Sequence, residues 1–211
     1  MQAVDAIVLV VDDDPLVRRG ISRLVRAAGY IVQTFASPLD FLNQDLPLGP
    51  ACVVLDMQMD QMSGVEVHQE LQKKSRKLPV IFLSGHGTIP MATAVIKQGA
   101  EDFLEKPVKP KELMAAIDVA LQHDMQDASS RQESQQLHDR YNRLTARERQ
   151  VMQLVVNGSL NKQAAAELGI TEKTIKVHRA RVMEKMEVES LAHLVRLSEH
   201  LPYSSNAIIT N

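Results

Sequence analysis

The spacing of hydrophobic and polar positions differs between the two halves of the chain. Up to residue 122, short apolar runs alternate with stretches in which apolar residues recur every three or four positions. The longer stretches predict helices, at Pro15 to Ala28, Pro38 to Asn43, Gly64 to Lys73, Ile89 to Gln98 and Pro110 to Gln122. The short runs predict strands, at Ile7 to Val11, Ile31 to Phe35, Ala51 to Leu55, Val80 to Leu83 and Glu101 to Leu104. This alternation is typical of an α/β doubly wound domain, with a five-stranded parallel sheet and helices on both faces.

The second half of the chain has helical periodicity alone. Residues 123–140 contain few apolar residues and neither Pro nor Gly, which favours a helical linker. From residue 141 to 201, apolar positions recur at helical spacing, with breaks at Asn157-Gly158 and at Gly169. We therefore predict an α/β domain at 1–122, a helical linker at 123–140, a small all-α domain of about four helices at 141–201 and a flexible tail at 202–211.

Composition and charge indicate two soluble domains with different partners. The chain has 211 residues, of which 45% are hydrophobic and 24% charged, as in ordinary globular proteins. Residues 1–122 hold 12 basic and 15 acidic side chains, whereas residues 141–201 hold 10 and 7. An acidic first domain and a basic second domain are suited to different partners. Because no apolar run reaches the roughly 18 residues of a membrane span, we expect a cytoplasmic protein that does not bind membranes.

Polar residues that could bind a ligand or take part in a reaction stand at the ends of the predicted strands. Asp12 to Asp14 follow the first strand, Asp56 the third, Ser84 the fourth and Lys106 the fifth. These side chains should converge, because the carboxyl ends of parallel strands form one edge of the sheet. Neighbouring carboxylates repel one another unless a cation lies among them, and oxygen ligands favour Mg²⁺. The pattern is suited to phosphoryl transfer, with Asp56 as the nucleophile and with Ser84 and Lys106 binding phosphoryl oxygens.

Four of these segments together resemble a known family. VVDDD, LDMQMDQMSG, LSGHG and DFLEKP, in this order and spacing, resemble the receiver domain of bacterial two-component response regulators, which has a flavodoxin-like fold. The resemblance covers Val8 to about Gln122. It implies that Asp56 is the phosphoacceptor for a sensor histidine kinase. It also implies that Mg²⁺ is bound by Asp12, Asp13, Asp56 and the backbone carbonyl of Gln58.

The resemblance further implies a switch near the phosphorylation site. In this interpretation Ser84 turns toward the phosphate on activation and Phe103 rotates inward behind it. It also implies that Lys106 precedes a cis Pro107. One position departs from the family pattern: Asp60 stands where proline is usual, which predicts a looser and more acidic loop after Asp56.

An enzyme is the competing interpretation of the acidic residues. Asp12 to Asp14 contain an Asp-x-Asp pattern, so Asp12 could be the nucleophile of a haloacid-dehalogenase-type phosphatase with Asp14 as the acid. Against this, Leu16 stands where that family usually has Thr or Val, Asp56 would have no role, and the sheet would lack a cap domain. We expect no enzymatic activity beyond the chain's own phosphorylation and dephosphorylation.

The basic domain contains the sequence form of a helix-turn-helix. Residues 161–185 read as a helix, a turn at Gly169 and a second helix capped by Thr171, with basic residues on the second helix. A plain helical interaction module with a solvated basic face is the alternative. The residues that we predict to contact DNA, as base readers or phosphate ligands, are Asn161, Lys162, Lys173, Thr174, Lys176, Val177, Arg179, Ala180 and Arg181.

Three segments of this domain carry a second resemblance. LTARERQV, NGSLNKQAAAELGI and TIKVHRARVMEKM resemble the LuxR-type helix-turn-helix, and the whole chain resembles a FixJ-type response regulator. The resemblance implies recognition of promoter DNA through Lys176 and Val177, and a dimerisation tendency near Leu191 to Leu197. It further implies that phosphorylation drives homodimerisation through Ile89 to Lys109, and that the protein acts with RNA polymerase as a transcription activator.

Overall fold

The protein divides into two compact units. The structure is a computed structural model that describes residues 6–85 and 87–201, so the predicted tail lies outside the described residues. The units are Met1–Ala128 and Ser129–Asn211. The boundary between them falls inside helix α5, Pro110–Asn142. Among the described residues, no helix combines the length and the apolar character that crossing a membrane requires.

The first unit is built on a parallel sheet. Its strands in the described chain are β1 (Ile7–Val11), β2 (Ile31–Phe35), β3 (Ala51–Asp56), β4 (Val80–Ser84) and β5 (Asp102–Glu105). They lie in the order β2-β1-β3-β4-β5, and every neighbouring pair is parallel. Every residue of β3 and β4 is buried, which explains why these strands are apolar without alternation.

Helices cover both faces of this sheet. They are α1 (Pro15–Ala27), α2 (Pro38–Asn43), α3 (Gly64–Lys73), α4 (Ile89–Lys97) and α5. Helices α1 and α5 contribute to one apolar cluster, and α2, α3 and α4 contribute to the cluster on the opposite face. The predicted doubly wound α/β fold is therefore confirmed.

Local capping explains where the helices begin. The Asp14 side chain accepts a hydrogen bond from the Leu16 amide, and Pro15 occupies the first turn of α1. Ser63 and Glu66 form a capping box at α3. Helix α5 is longer than the helix predicted up to residue 122 and includes the predicted linker, since no Pro or Gly interrupts residues 123–142.

The second unit contains α6 (Ala146–Val156), α7 (Asn161–Leu168), α8 (Glu172–Lys185) and α9 (Leu191–Ser198), as predicted for an all-α domain. Helices α7 and α8 are joined at Gly169, whose φ of 65° lies in the left-handed region that glycine adopts without strain. Two apolar clusters fill this unit, one around Met152 and Met186 and the other around Val151 and Ile175.

Candidate functional site

Two buried carboxylates share one ammonium group at the carboxyl edge of the sheet. Asp56 is the last residue of β3, Asp12 follows β1, and Lys106 follows β5. The Nζ atom of Lys106 lies 2.7 Å from Oδ2 of Asp12 and 3.0 Å from Oδ1 of Asp56. Both aspartates are buried, with 1% and 6% of their surface exposed, respectively. The structure thus brings together Asp12, Asp56 and Lys106, which the sequence predicted to converge at one edge of the sheet.

A third carboxylate completes the group. Oxygen atoms of Asp12, Asp13 and Asp56 lie within 4.8 Å of one another, close enough for one metal ion to contact all three. Asp13 Oδ2 accepts a hydrogen bond of 3.1 Å from the backbone N–H of Asp60. Proline has no N–H and could not donate this bond, so the departure at Asp60 adds a direct contact to the acidic group.

Burial and charge act in opposite directions on these groups. Burial raises the pKa of Asp56, and the neighbouring Asp12 carboxylate raises it further, whereas hydrogen bonds from Lys106 and the Gln58 backbone lower it; the net shift is upward. Burial alone would lower the pKa of Lys106, but hydrogen bonds to Asp12 and Asp56 outweigh it and raise the pKa. Lys106 therefore stays charged and offsets part of the carboxylate charge.

The predicted switch residues lie on the strands beside this group. Ser84, the last residue of β4, is buried, and β4 pairs with β3 so that Leu83 lies opposite Asp56. Phe103 on β5 is half-buried and packs against the apolar cluster beneath α3 and α4. The peptide bond between Lys106 and Pro107 is cis, as the resemblance implies.

Two glycines near the acidic group were missed as functional residues in the sequence. A Cβ atom at Gly64, the first residue of α3, would overlap the backbone carbonyl oxygen of Asp56. A Cβ atom at Gly87 would lie 2.7 Å from the Phe103 ring. The Ser63-Gly64 pair at the start of α3 is the sequence signal for the first glycine, but it also fits an ordinary helix start. Only the close approach to the Asp56 backbone reveals its importance.

Helix α8 presents a basic face with the apolar side chain of Val177 at its centre. Lys173, Lys176, Val177 and Ala180 are exposed, as is Arg181 at the edge of the face. The Val177 side chain is 45% exposed. On the opposite side, Ile175, Val182 and Met186 are buried in the core. The helix is therefore amphipathic.

The remaining predicted DNA contacts lie at the flanks of this face. Lys162 on α7 is exposed, whereas Thr174, Asn161 and Arg179 are half-buried. The Thr174 amide is bonded to the hydroxyl of Thr171, which caps α8. Arg179 Nη1 lies 2.6 Å from Oδ1 of Asn161. The side chains of Thr174, Asn161 and Arg179 are thus hydrogen-bonded within the unit itself.

The fold and the two sites define a class of protein. A five-stranded parallel α/β domain with three carboxylates and a lysine at its carboxyl edge precedes a helix-turn-helix unit with a basic second helix. This combination is that of a signal-receiving domain joined to a DNA-binding domain.

Comparison with protein families identifies the family. Residues 8–118 match the response regulator receiver domain, and residues 142–198 match the bacterial regulatory proteins of the luxR family. The chain therefore belongs to the two-component response regulators with a LuxR-type DNA-binding domain, which regulate transcription. Neither match is to an enzyme family.

Individual proteins are similar over nearly the whole chain. The response regulator protein TodT of Pseudomonas putida is 43% identical over 196 residues, which cover 93% of this chain and 86% of TodT. The structure of the response regulator StyR has a TM-score of 0.84 at 43% identity, covering 94% of this chain and all of that chain. Full-length FixJ from B. japonicum has a TM-score of 0.56 at 36% identity, covering 92% and 96% of the two chains.

Proposed function

We propose that Asp56 accepts a phosphoryl group from a sensor histidine kinase and that the phosphorylated protein binds promoter DNA through α8. One observation carries the proposal: Asp56 ends the central strand β3 beside the Lys106 ammonium, within a group of three carboxylates. Receiver domains and LuxR-type domains have a kinase and DNA, respectively, as their partners, which supports both halves of the proposal.

The acidic group fits a divalent cation. Three carboxylates against one ammonium leave about two negative charges, and all the side-chain ligands are hard oxygens, which suit Mg²⁺. Asp12, Asp13 and Asp56 would hold the ion together with the backbone carbonyl of Gln58. When bound, Mg²⁺ would neutralise charge on the oxygens of the transferred phosphoryl group.

The chain's own residues supply the rest of the transfer chemistry. A carboxylate oxygen of Asp56 attacks the phosphorus atom of the phosphohistidine, the phosphorus–nitrogen bond breaks, and the imidazole leaves with the bonding pair. The Lys106 ammonium and the Ser84 hydroxyl donate hydrogen bonds to the phosphoryl oxygens. The product is an aspartyl phosphate on Asp56.

The activated form is a homodimer in this proposal. On phosphorylation, Ser84 would turn toward the phosphate, and Phe103 could then move inward. The surface that would respond spans residues 89–109, where Ile89 is 85% exposed and Ile96 is 43% exposed. A dimer doubles the contacts to DNA and suits paired half-sites, where the protein would act with RNA polymerase as an activator.

Separate substitutions identify the nucleophile. Purified Asp56→Asn and Asp12→Asn variants are incubated with acetyl phosphate and Mg²⁺, and the acid-labile phosphate on each protein is measured. We expect no labelling of Asp56→Asn and reduced labelling of Asp12→Asn. Retained labelling of Asp56→Asn with none on Asp12→Asn would instead support the haloacid-dehalogenase-type alternative.

The activation step is tested on the full chain. Light scattering with and without beryllofluoride, a phosphoryl mimic, should report a dimer in the presence of the mimic, and DNA retardation at low salt should increase in parallel. A monomer under both conditions, on and off DNA, would contradict the dimerisation step. Failure to retard any DNA would favour the helical interaction module.

A further inference from the structure

The basic residue Arg179 of α8 differs from the other basic residues of the recognition face. Lys173, Lys176 and Arg181 are exposed, but Arg179 is half-buried. It lines a small cavity inside the unit together with Val155 of α6 and Leu194 of α9. Its side chain is therefore turned toward the core, away from the face that the exposed residues form.

The guanidinium group of Arg179 is hydrogen-bonded to the side chain of Asn161. Its Nη1 atom donates a hydrogen bond of 2.6 Å to Oδ1 of Asn161, the first residue of α7. Arginine has donors and no acceptor, so the Asn161 atom that faces it must be the oxygen. This contact fixes the orientation of the Asn161 amide group.

That orientation determines what Asn161 can offer to a ligand. With Oδ1 occupied, the two N–H groups of Nδ2 remain as donors, and Asn161 is half-exposed at the start of α7. Donors of this kind bind the oxygens of the DNA backbone, and the first helix of a helix-turn-helix crosses that backbone. Without Arg179, the amide group could turn over and present its oxygen, which repels a phosphate.

We infer that Arg179 is a positioning residue, which orients Asn161 so that the Asn161 amide donates to a backbone phosphate, and that Arg179 makes no phosphate contact of its own. The inference rests on the proposed DNA-binding function of α7 and α8. It replaces the sequence-based prediction that Arg179 contacts DNA directly. It also accounts for a charged side chain that is turned inward on a helix whose basic residues Lys173, Lys176 and Arg181 are exposed.

A double-mutant cycle tests this inference in the full chain. The variants are Asn161→Ala, Arg179→Met and the double variant; methionine keeps the apolar stem that packs against α6 and α9. Affinity for a mixed-sequence DNA duplex is measured by fluorescence anisotropy at several salt concentrations, because phosphate contacts do not depend on sequence. We expect each single variant to lose roughly tenfold in affinity, and the double variant to lose no more than either.

The salt dependence distinguishes positioning from direct contact. Removing a cation that neutralises a phosphate reduces the slope of log affinity against log salt by about 0.9. We expect Arg179→Met to leave the slope unchanged. A slope reduced by about 0.9, effects that add in the double variant, or wild-type affinity of Arg179→Met would each overturn the inference.

Arg181→Met is the matched control, since Arg181 is an exposed arginine on the same helix. Its loss of DNA affinity should add to that of Asn161→Ala in a double variant. This result shows that the cycle recognises two residues that act independently. A wild-type chain that binds no duplex at low salt would contradict the proposed DNA-binding function itself. If the wild-type chain binds DNA but the affinity losses of Asn161→Ala and Arg179→Met add in the double variant, only the positioning role is contradicted.

Discussion

At the scale of single residues, the geometry around Asp56 requires a glycine, which has no side chain, at position 64. Gly64 begins α3 against the backbone of Asp56, and its amide donates a hydrogen bond of 3.0 Å to the carbonyl of Met57. A Cβ atom at this position would overlap the Asp56 carbonyl oxygen and come within 3.1 Å of the Met57 Cα atom. Backbone atoms of a fully buried strand cannot move aside as a flexible side chain could.

Gly64→Ala should therefore destabilise the protein and impair phosphorylation of Asp56. We expect a loss of roughly 1–3 kcal/mol in the free energy of unfolding, as in other overpacked sites, measured by urea denaturation. Gly20→Ala is the control, because Gly20 lies inside α1 with nothing within 4 Å of an added Cβ atom. That substitution should stabilise the protein by roughly 0.4–1 kcal/mol; equal effects of the two variants would contradict the close approach.

Lys106 provides a second prediction at this scale. Lys106→Met removes the ammonium that Asp12 and Asp56 share and leaves like charges close together in a buried site. We expect a loss of roughly 3 kcal/mol at neutral pH in the absence of Mg²⁺, as when one partner of a buried ion pair is removed. Thermal denaturation measures the loss.

Mg²⁺ should restore much of this stability, since it supplies the missing positive charge. The matched control is Lys109→Met, because Lys109 is exposed and pairs with the exposed Glu112. Exposed pairs contribute little, so this variant should unfold at nearly the same temperature as wild type. If Mg²⁺ stabilises Lys106→Met no more than it stabilises wild type, Mg²⁺ and the Lys106 ammonium do not neutralise the same carboxylates.

At the scale of helices, α6 and α8 are joined by a charged contact between Glu148 and Lys185. Glu148 is 2% exposed and completes the capping box of α6 with Thr145. Its carboxylate also lies 2.7 Å from Nζ of Lys185. Burial raises the pKa of Glu148, but hydrogen bonds from Lys185 and Thr145 outweigh it, so the pKa is lowered.

The lowered pKa predicts how the second unit responds to acid. A carboxyl group with a lowered pKa in the folded state contributes stability above its unfolded pKa, about 4.3 for glutamate. That contribution is lost as the pH falls from there through the folded pKa. We expect faster hydrogen exchange of the α6 amides in this range, after correction for the intrinsic exchange rate.

Lys185→Met should reduce this acid response, because it removes a group that lowers the Glu148 pKa. It should also cost roughly 3 kcal/mol near pH 7, since it leaves a buried carboxylate without its ammonium partner. Lys173→Met, at an exposed position of the same helix, is the control and should exchange as wild type does. A Lys185→Met variant with wild-type protection of α6 would show that the contact is not stabilising.

At the scale of the whole molecule, the two units differ in what they should bind. The three carboxylates lie in the first unit and the basic face of α8 lies in the second. Mg²⁺ should therefore raise the unfolding temperature of the first unit alone, and DNA that of the second. At a Mg²⁺ concentration 100 times Kd, the stabilisation should be about 2.7 kcal/mol.

Differential scanning calorimetry of the full chain measures these shifts. Asp13→Asn should reduce the effect of Mg²⁺ and leave the effect of DNA unchanged. An equal shift of both transitions by Mg²⁺ would contradict a site confined to the first unit.

Much of the fold could be predicted because its signals are local. The helix starts at Asp14-Pro15 and Ser37-Pro38 depend on hydrogen bonds within three residues, and the apolar runs depend on burial of the strand itself. The convergence of Asp12, Asp56 and Lys106 followed from one further inference, that parallel strands end at the same edge of a sheet. The extent of α5 could not be fixed in this way, since residues 123–140 lack both a breaker and an apolar face.

The sequence by itself determined which residues form the strands and helices, and which polar side chains stand at the edge of the sheet. Only the tertiary structure decided how those side chains are paired: Lys106 with both Asp12 and Asp56, Asp13 with the Asp60 amide, and Arg179 with Asn161. The reason is that helical and strand periodicity are set by near neighbours in the chain. The partner of a polar side chain is set instead by the packing of elements that are distant in sequence, to within about an ångström.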